Sequence, residues 1–182
     1  EVPGESPEDY VQRLAREKAE AVAPKNDEGV ILAADTTVVI DDQIIGKPVD
    51  LEDAQRMLRL LSGKGHEVLT GVAVLIDGDM RIGLQRTGVK FAELTEAEVN
   101  FLAEMGDPLD KAGAYAVQGR AAAFVSRLEG SYTGVVGLPL FETATLLSTP
   151  SASQRTARRR ALVQFRRSLV DQPTRFVRPT PM

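Results

Sequence analysis

The chain has 182 residues, 43% of them apolar and 26% charged, with a net charge of −4, the balance of one globular domain with a core of its own. The absence of cysteine excludes disulfides, thiolate zinc sites, Fe–S clusters and thiol nucleophiles, and a single histidine excludes a multi-His metal centre. Any divalent ion would need oxygen ligands, which favours Mg²⁺ or Mn²⁺.

No apolar run approaches the roughly 20 residues of a membrane-spanning helix. The acidic start EVPGESPEDY does not read as a signal peptide. Together with the lack of cysteine, this fits a cytoplasmic protein. The net charge conceals an asymmetry. Residues 151–182 carry eight Arg and one Asp, a balance of +7, which leaves −11 for residues 1–150.

Ser6-Pro7-Glu8-Asp9 is a helix start, with Ser as N-cap, Pro at the first helical position and acids in the first turn. The helix is predicted to run to about Ala23, with Tyr10, Leu14 and Ala21, joined by Val11 and Ala15, as its apolar stripe. Gly29 to Ile40 reads as a strand that returns through a polar turn at Asp41-Asp42 into Gln43 to Ile45. A second helix opens at Leu51 and ends near Leu61 at the glycine stop Ser62-Gly63-Lys64-Gly65. Glu67 to Asp77 and Met80 to Phe91 read as another antiparallel pair. Thr95 to Glu98 is a capping box for a helix to about Glu104. Residues 107–118 read as loop, Ala121 to Glu129 as a strand followed by a Gly-rich turn, and Pro139 to Leu147 as a closing helix. The order predicts the α/β class, a mixed β-sheet flanked by helices. Ser148 to Ser151 reads as a boundary. It divides a domain over residues 1–148 from a basic tail over 149–182, with a short helix between about Arg155 and Val170.

Several residues could carry chemistry. Asp35 interrupts two apolar runs, where a charge is costly unless paired. It is either a strand-end acid that caps nearby backbone or a carboxylate that binds metal or activates water. Lys47, on the proline-stiffened turn Gly46-Lys47-Pro48, and Lys18, on the first helix, suit phosphate but are equally ordinary solvated lysines. His66, after a glycine turn, reads as a hydrogen-bonded loop anchor rather than a catalyst. Ser62 to Gly65 does not meet the P-loop pattern, and neither G-x-G-x-x-G nor G-x-S-x-G occurs. Asp110, Lys111 and Gln118 lie on a small-residue loop, and a glutamine amide can read the edge of a base.

Six ordered blocks over roughly residues 3–147 resemble the Maf family of nucleotide pyrophosphatases: YVQRLAREKA, ILAADTTVV, GKP, MLRLLSGKGHEVLTGVAV, DKAGAYAVQG and GSYTGVVGLPLFET. The resemblance implies a Maf/inosine-triphosphatase-like fold. It also implies hydrolysis of a nucleoside triphosphate between the α and β phosphates, as a housecleaning activity. Thr36 after Asp35, together with Gln118, resembles the dTTP/UTP branch. By resemblance Asp35 accepts the proton of the attacking water beside Mg²⁺ or Mn²⁺, Lys18 and Lys47 neutralise phosphate, and Thr36 and Gln118 read the pyrimidine. A homodimer is implied too.

The family pattern begins with a strand and a Ser-x-Ser-x-Arg-Arg phosphate loop, and no such segment stands ahead of Glu1. Without it the sheet is expected to expose an apolar edge. Two expectations follow. Either residues 1–148 form a core with an unrelated basic tail, or SASQRTARRRALVQF and RFVRPTPM are the displaced loop and strand. In the second case Ser151, Ser153, Arg155 and Arg158 would hold phosphates. The alternatives in function are an inactive Maf-like interaction protein, a 7-methyl-GTP-type enzyme, and nucleic-acid binding by the Arg tail. For the tail, a solvated extension is preferred to nucleic-acid binding.

Overall fold

The computed structural model describes residues 2–23, 29–76, 78–105, 108–148 and 161–166. The first helix starts as its sequence dictates. The Ser6 side chain accepts from the Asp9 backbone N–H, and Pro7 opens α1 (Pro7–Val22). The buried stripe of α1 is Val11, Ala15 and Ala19, a strict i, i+4 row. This corrects the expected stripe by one ridge. Ala21 is exposed, and Tyr10 and Leu14 border a cavity instead.

Strand β1 (Val30–Ile40) turns through Asp41 and Asp42 into β2 (Gln43–Ile45). Both turn residues have positive φ, 49° and 60°, the two-residue hairpin geometry that matches strand twist. Asp50 caps α2 (Leu51–Leu61). The long pair β3 (Gly65–Ile76) and β4 (Asp79–Phe91) follows, then α3 (Glu96–Met105). The expected loop contains two short 3₁₀ turns, Pro108–Asp110 and Ala112–Ala114.

The strand expected from Ala121 begins only at Val125, as β5 (Val125–Glu129), because Arg120–Phe124 coils into a 3₁₀ helix. Ala121, Ala122 and Ala123 supply none of the branched side chains that favour a pleated surface. The Gly-rich turn holds a five-residue helix, α4 (Tyr132–Val136), before α5 (Leu140–Ser148). Of the predicted tail helix, residues 161–166 are described and are helical; the remainder lies outside the described residues.

The strand order is β2-β1-β3-β4-β5. The α/β class stands, and all four described pairings are antiparallel. Alternation along β3 divides the core between two faces. Leu69 and Ala73 meet Val11, Ala15 and Ala19 of α1. On the other face, Val68 joins Val38, Val89, Phe91 and the apolar sides of α2 and α3. Further along that face, Val72, Val74 and Ile76 pack with Leu147 of α5 and with Ala161, Leu162 and Phe165. β2 pairs with β1 only over Val38–Ile40. Among the described residues, no strand lies on the outer edge of β1 over 30–37.

Gly71 of β3 fixes how closely α1 approaches. A Cβ there would lie 2.6 Å from the Val11 carbonyl carbon and 2.9 Å from the Gln12 nitrogen, inside backbone that cannot swing away. Gly71→Ala is therefore expected to destabilise the fold by about 1–3 kcal/mol or more. Gly88→Ala, whose Cβ would meet Glu129 at 3.9 Å, serves as the near-neutral control. Urea unfolding midpoints compare the two, and equal midpoints would show that the helix is free to lift.

Candidate functional site

Asp35 sits in the middle of β1, on the stretch with no outer strand among the described residues, and its register partner on β3 is Gly71. Close seating of α1 over Gly71 brings Lys18 to this point. The Lys18 Nζ donates to Asp35 Oδ1 at 2.6 Å and to the Ala34 carbonyl at 3.2 Å. The Asp35 side chain is 15% exposed and that of Lys18 55%. A pair this open adds at most about 1 kcal/mol to stability, so its interest lies in what it aims.

A second group lines the same cavity as Asp35, of about 440 Å³. The Lys47 Nζ donates to Asp110 Oδ1 at 2.7 Å, and the Lys111 Nζ to Asp110 Oδ2 at 3.3 Å. Hydrogen bonds from Lys47 first, and then from Lys111, hold the Asp110 carboxyl below the usual carboxylate range. The two loops are stapled by the Gly113 N–H on the Gly46 carbonyl at 3.0 Å. Gly113 has φ +69°, and a Cβ there would reach Val38 Cγ2 at 3.0 Å, so glycine is required by conformation and by space.

The cavity brings together Lys18, Asp35, Thr36, Lys47 and Gln118, five of the residues singled out in the sequence. Lys111 lines it as well. Arg155 and Arg158 lie outside the described residues. No group of three or more His, Cys, Asp or Glu among the described residues could hold a metal ion unaided. Asp35 offers one carboxylate to the cavity, and one or two carboxylates combined with substrate phosphates are the usual donor set of Mg²⁺.

Sequence reasoning missed a polar layer beneath the cavity. Thr36 Oγ1 lies 2.9 Å from Thr70 Oγ1, which donates to the Gly134 carbonyl at 2.8 Å. Thr70 and Thr87 are fully buried. Thr87 accepts from the Ser131 N–H, and Ser131 caps α4 through the Gly134 N–H. The available signal was a lone threonine at Thr70 inside the apolar run of β3, where a buried hydroxyl must find a partner.

His66 makes the hydrogen bond expected of an anchor, but from within β3 rather than from a loop. Its Nε2 lies 2.7 Å from the hydroxyl of Tyr115, another cavity residue. Phe91 stacks edge-on against both rings. Burial pushes the Tyr115 phenol up and the His66 imidazole down to about 4.

These features define an α/β protein with a lysine- and carboxylate-lined cavity beside strand β1. The chain belongs to the Maf family: the family model described as Maf-like protein matches residues 1–150. It is 54% identical to a dTTP/UTP pyrophosphatase of Anaeromyxobacter dehalogenans over 151 residues, 80% of this chain and 75% of that protein. It is 50% identical to a dTTP/UTP pyrophosphatase of Cupriavidus pinatubonensis over 150 residues, 80% of this chain and 75% of that protein. One from Nitrosomonas europaea is 47% identical over 157 residues, 84% of this chain and 76% of that protein.

The His66 environment sets an acid limit. His66 is neutral in the fold down to about pH 4 but takes up a proton near 6.5 when unfolded. The unfolded state therefore binds more protons in that window, and stability falls as pH drops from 6.5 to about 4. The loss attributable to this side chain is about 3 kcal/mol. In urea melts between pH 7.5 and 4, His66→Gln is expected to show a shallower acid loss than the parent. Parallel curves would remove His66 as the cause.

Proposed function

We propose that the chain is a nucleoside triphosphate pyrophosphatase that hydrolyses dTTP and UTP to the monophosphate and pyrophosphate. The observation that carries this reading is the convergence of Asp35, Lys18, Lys47, Thr36 and Gln118 on one cavity. Relatives about 50% identical that bear this activity in their names support it.

In this reading Asp35 takes the proton of a water that attacks the α-phosphorus. The bond from that phosphorus to the bridging oxygen breaks, and pyrophosphate leaves. Lys18 and Lys47 exchange their carboxylate partners for phosphate oxygens and stabilise the charge that grows on the leaving group. Thr36 and Gln118 contact the base. Asp35 and the substrate phosphates would hold Mg²⁺ or Mn²⁺, which neutralises phosphate charge.

The proposal extends to the basic segment. Residues 1–148 carry the cavity, and residues 149–182 serve the same domain, with Arg155 and Arg158 on the substrate phosphates. The packing of Ala161, Leu162 and Phe165 on the sheet supports this. The resemblance adds a homodimer and a cytoplasmic place. Among the described residues, no helix is long and apolar enough to cross a membrane.

Pyrophosphate release from a panel of nucleoside triphosphates with Mg²⁺ tests the reading. dTTP and UTP are expected to lead, and Asp35→Asn should lower their kcat by about 10²–10⁴-fold. Activity unchanged in Asp35→Asn would sink the assignment of the base. The doubly substituted Arg155→Ala, Arg158→Ala chain should show KM raised by about tenfold or more, and a copy ending at Pro150 should lose activity. Full activity in both would make the tail dispensable.

A further inference from the structure

Two lysines of the cavity share one carboxylate. Lys47 takes Asp110 Oδ1 and Lys111 takes Asp110 Oδ2, so each oxygen of the acid is held by a different ammonium. Among the described residues, neither ammonium donates to any other group. Lys18 differs, because it divides its protons between Asp35 and the Ala34 carbonyl. The cavity lining carries three ammoniums, on Lys18, Lys47 and Lys111, and two carboxylates, on Asp35 and Asp110. A bound phosphate chain brings its own negative charge and needs the same donors.

We propose that Asp110 is an internal competitor of the anion site: it occupies Lys47 and Lys111 in the empty cavity, gives way to phosphate oxygens, and returns to both lysines as pyrophosphate leaves. Lys111 thereby joins Lys47 as a phosphate ligand. The inference rests on the reading of the cavity as a nucleotide site. Asp110 acts only through the lysines. A carboxylate tethered beside its partners competes at a high effective concentration, and the apparent affinity of the site falls by the fraction of time the lysines are taken.

The backbone keeps this exchange local. Asp110 ends the 3₁₀ turn Pro108–Asp110, which the Lys111 N–H closes on the Pro108 carbonyl at 3.0 Å. The bond from the Gly113 N–H to the Gly46 carbonyl holds the Lys47 turn beside it. Neither bond uses a side chain, so the two lysines stay together when the carboxylate lets go. The Asp110 and Lys47 side chains are mostly exposed, and a pair so placed breaks at little cost. The hydrogen bonds from both lysines hold the Asp110 carboxyl below the usual carboxylate range, so it remains a competing anion.

The competing role has its own sign. A carboxylate that merely aims two lysines would weaken anion binding when removed, whereas a competitor would strengthen it. Inorganic pyrophosphate is titrated into the full chain by calorimetry, with and without Mg²⁺. Asp110→Asn keeps the size of the side chain and removes its charge. It should bind pyrophosphate about fivefold more tightly than the parent. Lys111→Gln should bind it more weakly, by about the same factor. Asp41→Asn is the control for net charge. Asp41 is comparably exposed and lies 3.8 Å from Lys64, but it does not line this cavity, and its removal should leave the affinity unchanged. Hydrolysis of dTTP with Mg²⁺ is followed in parallel, and Asp110→Asn should show a lower KM and stronger inhibition by pyrophosphate.

Unchanged or weaker pyrophosphate binding in Asp110→Asn overturns the inference while dTTP hydrolysis stands. An equal gain in Asp41→Asn, or parent-like binding in Lys111→Gln, overturns it as well. Tighter binding in Asp110→Asn from a parent that hydrolyses no nucleoside triphosphate upholds the competitor and overturns the enzymatic reading. A parent that neither binds pyrophosphate nor hydrolyses dTTP overturns both.

Discussion

The contact on which the site depends is that between the backbone of α1 at Val11 and Gly71 of β3. Most helices stand off a sheet by the thickness of two side-chain layers. Here one layer is missing at Gly71, and the row that continues from it, Ala15 and Ala19 over Ala73, is built from small residues that are fully buried. The helix is therefore drawn onto the sheet along its length. Gly71 is also the register partner of Asp35, so the closest approach lies beside the carboxylate. The reach of Lys18 to Asp35 and to the Ala34 carbonyl follows from that seating. A side chain at position 71 would act on the site through the helix without touching the site itself.

The opposite wall is held by contacts of three different kinds. The backbone bond from Gly113 to Gly46 joins the turn that carries Lys47 to the loop that carries Asp110 and Lys111. The positive φ of Gly113 lets that loop lie flat on Val38. Tyr115 is fixed at its far end by His66 and at its ring by Phe91. No one of these needs to be strong. Aromatic contacts of this type add roughly 0.5–1.5 kcal/mol each, and a backbone hydrogen bond adds about 1 kcal/mol. Together they leave the wall one arrangement, as a cavity with convergent polar groups requires.

Much of this was legible in the sequence, and the gaps have physical causes. The α/β class and the elements Pro7–Val22, Gln43–Ile45 and Leu51–Leu61 follow from caps, glycine stops and periodicity. Asp35 stood out because a charge amid apolar residues needs a reason. The phase of α1 was misread because Tyr10 and Leu14 look like core; the true core row is two alanines and a valine, small residues whose use depends on a glycine one sheet layer away. The coil at Arg120–Phe124 was read as strand, since alanines carry no strong preference and tertiary context decides. Helix α4 was invisible because five residues with a central glycine have almost no propensity of their own. It exists because Ser131 caps it and Thr70 and Thr87 tie it to the sheet. The direction of a hydroxyl proton cannot be read from a sequence, because it is set by which partner lacks a proton to give.

The two ends of the cavity differ in how firmly they are held, and that difference divides their work. At the charged end, Lys47 and Asp110 are 62% and 76% exposed in their side chains, and pairs of that kind are worth at most about 1 kcal/mol. Such lysines are aimed by their carboxylates but held weakly enough to exchange them for another anion. At the neutral end, Thr70 is fully buried and its acceptor is backbone, so the layer behind Thr36 has little freedom to reorient. One set of groups can exchange its partners at little cost, and the other cannot. In this fold the rigidity comes from the same long β3 strand that seats α1, with Thr70 on one face and Gly71 on the other.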